Sequence, residues 1–77
     1  MLASVVTTFR EPEGELESLL TELRAHRCIE VGIHLPGNLR VPMVLDAETS
    51  DELESLTRYL QSHPAISFVD VVMVQYE

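Results

Sequence analysis

Apolar residues recur along this chain with two different periods, and the changes between them mark out its elements. Leu2 to Phe9 is rich in β-branched residues and too short for a helix before the break at Arg10-Glu11-Pro12, which predicts a first strand. Leu16, Leu19, Leu20 and Leu23 then recur three and four apart and draw one apolar stripe on a helix ending near Arg24 to Arg27. Pro12 suits the first helical position, where a missing N–H is no loss. Glu13 and Glu15 complement the dipole there, and Gly14 eases the first turn. From Cys28 to Leu35 the period becomes two, so a half-buried strand is predicted with Ile29, Val31, Ile33 and Leu35 on the core side. Pro36-Gly37-Asn38 is a tight turn, and Leu39 to Leu45 returns as the next strand with Leu39, Val41, Met43 and Leu45 on one face. Thr49 and Glu52 make a capping-box pattern ahead of a second stripe, Leu53, Leu56 and Leu60, which ends before Pro64. Ile66 to Tyr76 is the last strand, with Asp70 its only internal charge.

The order is βαββαβ. Two right-handed βαβ crossovers sharing one sheet predict an α/β (α+β) ferredoxin-like split βαβ sandwich: a four-stranded antiparallel sheet, strands one and three central, both helices on one face. Pro42 resists this layout, because a central strand needs the ladder donor that proline lacks. A bulge at Pro42, or a locally unpaired third strand, would reconcile them.

With both helices on one side, parity assigns the other. Cys28, Glu30, Gly32 and His34 line it from the second strand, Arg40, Pro42 and Val44 from the third, and Ser4, Val6 and Thr8 from the first. A lone buried carboxylate is costly, so Asp70 turns outward, and Phe68, Val72, Val74 and Tyr76 follow it. Such an apolar face on an acidic small protein points to contact with a foreign polypeptide or with a second copy of the chain.

Seventy-seven residues, 45% of them hydrophobic, support one core, so residues 1–77 form a single domain. The one cysteine, Cys28, forms no internal disulfide. Thirteen acidic residues against five arginines disfavour a nucleic-acid partner, which needs clustered positive charge. No apolar run reaches the roughly 20 residues of a membrane span. The first residues lack the basic region of an export signal, so the expected location is cytoplasmic.

The residues offer little to catalysis. His26 and His63 sit where helices end and read as structural or exposed. His34 and Cys28 are six residues apart on one strand, about 20 Å, too far to share a metal. No paired cysteines hold zinc or an iron–sulfur cluster, and neither Gly32 nor Gly37 opens a phosphate-binding loop. Glu11, Glu13, Glu15, Glu17 and Glu22 avoid the leucine stripe and form a solvated helix face. No cofactor, metal or enzymatic activity is expected. An acylphosphatase-like enzyme on this fold would need an anion-binding loop, to which the Arg10–Pro12 connector brings only Arg10.

The sequence resembles the NapD family of small cytoplasmic chaperones for the catalytic subunit of periplasmic nitrate reductase. The resemblance covers nearly the whole chain. It rests on Ala3-Ser4-Val5-Val6, the leucine helix, Ile29-Glu30-Val31 ahead of Pro36-Gly37-Asn38-Leu39-Arg40-Val41, Ser50-Asp51-Glu52-Leu53, and Pro64-Ala65-Ile66-Ser67-Phe68-Val69. It implies a ferredoxin-like protein that binds the twin-arginine signal peptide of a molybdenum enzyme precursor, as a helix against the open sheet, before export. The positions it implies for the peptide are Ser4, Val6, Val44, Asp70, Val72 and Val74. The valines would meet the apolar part of the peptide, and Asp70 or Glu30 its arginines. The chain departs from the family at Met73-Val74, where members commonly carry a tyrosine often followed by histidine, and at Pro42, where they carry a β-branched residue. The alternative to such a chaperone is a homodimeric ferredoxin-like regulatory or structural module that buries its open face and binds a small ligand or partner protein.

Overall fold

The computed structural model describes residues 1–10, 15–35 and 37–76; the expectations for Glu11, Pro12, Glu13, Gly14 and Pro36 fall outside them. Its elements are β1 (Leu2–Phe9), α1 (Glu15–Arg24), β2 (Ile29–Val31), β3 (Arg40–Asp46), α2 (Ser50–Gln61) and β4 (Ile66–Gln75). The sheet is antiparallel in the order β2-β3-β1-β4, so β1 and β3 are central and the fold is ferredoxin-like α+β.

The leucine stripes drive the layering. Leu16, Leu19, Leu20 and Leu23 of α1 and Leu60 of α2 join Ala3, Val5 and Phe9 of β1 and Val41, Met43 and Leu45 of β3 in one buried cluster. Both helices therefore pack on the odd-numbered face of β1 and β3. Thr7, the buried polar residue among them, directs its hydroxyl to Met43 Sδ at 3.5 Å. At the start of α2, Thr49 Oγ1 accepts from Glu52 N at 3.1 Å, while Glu52 Oε2 accepts from Glu48 N at 2.7 Å. The cap thus forms as predicted, with its return bond one residue earlier than in the usual capping box.

Both helices end in the same turn. In Leu23-Arg24-Ala25-His26-Arg27-Cys28-Ile29, His26 N donates to Leu23 O, Ile29 N to His26 O, and Cys28 N to His26 Nδ1 at 3.2 Å. Leu60-Gln61-Ser62-His63-Pro64-Ala65-Ile66 repeats all three bonds, with Ala65 N donating to His63 Nδ1 at 3.1 Å. Each imidazole thereby shapes the passage from helix to strand. His26 also lies against the Tyr59 ring, 5.6 Å between centroids. The shared spacing, leucine, then histidine at +3 and isoleucine at +6, was visible in the sequence.

Pro42 causes no bulge. Pairing of β1 with β3 runs without a shift from Leu2↔Asp46 through Val6↔Pro42 to Thr8↔Arg40. Even-numbered residues of β3 point their backbone groups at β2: Gly32 N donates to Pro42 O at 2.8 Å, and Asp46 N to Cys28 O at 2.9 Å. The donor that Pro42 lacks is thus missing on the β2 side only. That side is where pairing stops, after Ile29↔Leu45, Glu30↔Val44 and Val31↔Met43. The strand expected over Cys28–Leu35 is consequently three residues long. Ile33 and Leu35, expected in the core, are 82% and 62% exposed. His34, expected on the open face, turns toward α1: its side chain is 8% exposed, with Nδ1 3.7 Å from Glu17 Oε1 and Nε2 3.0 Å from Asn38 O. In the turn that follows, Gly37 adopts a φ of +84°, a left-handed conformation that glycine takes without strain.

The outer strand β4 has ten residues and its neighbour β1 eight. Two register shifts absorb the difference, one between Thr8 and Phe9 and one between Ser4 and Val5. Along the outer edge of β4, the Gln61 amide takes the place of a fifth strand. Its Oε1 accepts from Val69 N at 3.0 Å and its Nε2 donates to Ser67 O at 3.4 Å.

Candidate functional site: the uncovered face of the sheet

The face away from the helices is a grid whose rows follow from the pairing registers. Asp46, Leu2 and Gln75 form one end row. Glu30, Val44, Ser4 and Met73 come next. Gly32, Pro42, Val6 and Asp70 form the third row and Arg40, Thr8 and Phe68 the fourth. The middle positions are thus apolar or small, with Ser4 and Pro42 exposed and Val6 and Val44 half-buried, and the exposed carboxylates of Glu30 and Asp70 stand on the two edge strands.

The second register shift changes which residues of β4 reach this face. Val71 pairs with Val5 and Met73 with Ser4, leaving Val72 as the extra residue of a bulge. Parity resumes on the opposite phase, so Met73 faces the open side at 60% exposure while Val74 pairs with Ala3 and packs against the core. Val74 is therefore misplaced in the sequence-derived set. Ser4, Val6, Val44, Asp70 and Val72 share the open face, and Met73 is the residue that parity missed. The available signal was length, since β4 offers two residues more than β1 can pair.

A concavity of about 340 Å³ lies at the middle of this face, lined by residues of all four strands, including Ser4, Val6, Gly32, Pro42, Val44 and Val72. Its floor is tight beneath Gly32: a Cβ there would come within 3.1 Å of Pro42 Cγ and 3.0 Å of Pro42 O. The walls are aliphatic, so the depression suits an apolar side chain. A larger concavity, about 820 Å³, opens at the sheet end between the α1–β2 turn and α2, where His26, Cys28, Asp46, Glu52 and Tyr59 contribute. Two of its polar groups are engaged in the fold, His26 Nδ1 by Cys28 N and Glu52 Oε2 by Glu48 N. Among the described residues, no three of His, Cys, Asp and Glu are grouped to hold a metal ion, and no helix is long and apolar enough to cross a membrane.

No family model and no curated protein matches the sequence. Among solved structures, the solution structure of the E. coli Tat proofreading chaperone protein NapD is similar, with a TM-score of 0.82 and 22% identity, over 100% of this chain and 79% of that one. The chain thus has the fold of NapD along its whole length.

Proposed function

We propose that this protein is a non-enzymatic cytoplasmic chaperone that binds the twin-arginine signal peptide of a molybdenum-containing nitrate reductase precursor on the uncovered face of its sheet before export. The observation that carries the reading is an apolar, concave sheet face edged by Glu30 and Asp70, on the fold of a Tat proofreading chaperone. An apolar helix meets Val6, Val44, Val72 and Met73, and its guanidinium groups meet carboxylates at the rim. Val74, which lies on the covered side, takes no part.

Titrating the protein with a twin-arginine peptide in a calorimeter tests the proposal, with a double-lysine peptide as control. Saturable binding that weakens at least tenfold in Val72→Asp is expected, since the substitution sets a charge under the apolar stretch. Binding to neither peptide, or a sheet-to-sheet dimer that the peptide leaves intact, sinks it.

A further inference from the structure

We infer that the open face is electrostatically polar along its strands and fixes the direction of a bound helix, with the arginine-bearing amino-terminal end over Asp46 and Glu30 and the carboxyl-terminal end over Arg40. This rests on the signal-peptide reading above.

The rows of the face carry charge in a graded order. Asp46 stands in the first, Glu30 in the second, Asp70 in the third and Arg40 in the fourth. Arg10 follows β1 directly at the Arg40 end. Met1 lies at the Asp46 end, where Ala47 N donates to Met1 O. Among the described residues, one end of the face is thus acidic and the other cationic, with Val44, Ser4, Pro42 and Val6 between them.

A signal peptide has the complementary order, basic residues first and an apolar stretch of roughly 7–15 residues after them. Asp46 and Arg40 are the ends of β3, six residues apart, which is about 20 Å of strand. A helix covers that length in about 13 residues, within the range of such a stretch. With its arginines at Asp46 and Glu30, the helix sets its apolar turns over the concavity and Phe68, and its negative dipole end reaches Arg40. The reverse direction sets the arginines against Arg40 and Arg10 and is disfavoured at both ends.

The test uses the full chain, nitrogen-15 labelled, and a twin-arginine peptide carrying a nitroxide either before its arginines or after its apolar stretch. The amino-terminal label is expected to erase amide signals of Glu30, Val44 and Asp46 and spare Arg40 and Phe68, the carboxyl-terminal label to do the opposite. Interchanged patterns, or both labels erasing both ends alike, overturn the inferred direction while leaving peptide binding on this face in place. An unchanged spectrum at a large molar excess of peptide overturns the binding reading itself, and the direction falls with it.

Discussion

Replacing His63 by alanine removes one hydrogen bond of known geometry, the acceptor for Ala65 N at the turn between α2 and β4. The turn is part-buried, so the stranded N–H regains water only partly, and the cost is about 1 kcal/mol. In a domain of this size that lowers the melting temperature by roughly 4–8 °C. Asparagine at the same position places a side-chain oxygen where an Asx turn accepts from the N–H two residues on, so His63→Asn should recover most of the loss. His26→Ala should cost more, about 2 kcal/mol, because it removes the equivalent bond to Cys28 N and also the ring contact with Tyr59. There, asparagine should recover only the hydrogen-bond part. Urea unfolding followed by far-ultraviolet circular dichroism, on the parent and the four variants, measures these differences. If His63→Ala matches the parent, or if asparagine is no better than alanine at position 63, the imidazole does not hold the turn and the reasoning is wrong.

Pro42→Val restores a donor on the β2 side of β3, so β2 pairing should extend past Gly32; hydrogen exchange should find a protected amide at position 42, and a fast-exchanging one there would contradict the account of why β2 is short. Leu20→Ala, at a position with no exposed surface, should cost about 2–5 kcal/mol, a large part of the roughly 4–12 kcal/mol available to a chain this long; a urea midpoint near the parent's would place Leu20 outside the core. Gln61→Ala bares Val69 N and Ser67 O on the edge of β4 and should produce concentration-dependent self-association by sedimentation velocity, which Gln61→Asn, one methylene shorter, should suppress incompletely. A variant that stays monomeric at every concentration would show that the amide guards nothing.

What the sequence disclosed and what it hid divide along a physical line. The helices and the third strand were legible because each depends on its own period: the stripes Leu16–Leu23 and Leu53–Leu60 and the alternation in Leu39–Leu45 state which side is buried without reference to any neighbour. Errors arose where one strand is governed by another. The length of β2 is set by a proline on β3, and once pairing ends at Val31, parity no longer assigns Ile33, His34 or Leu35 to a face. The exchange of Val74 for Met73 comes from fitting ten residues against eight, a relation invisible within β4 itself. The graded charge of the face belongs to the same group, since the rows exist only once three registers are known.

Gln61 is the last residue of α2, one place after Leu60, which has no exposed surface. The two neighbours serve different parts of the molecule, Leu60 the core and Gln61 the rim of the sheet. Seating Leu60 therefore also sets Gln61 beside the edge of β4, within reach of Val69 N and Ser67 O. Completing the core and closing the sheet to other chains are thus assigned to adjacent residues of one helical turn, so a change that loosens this turn bares a strand edge as well as a core position.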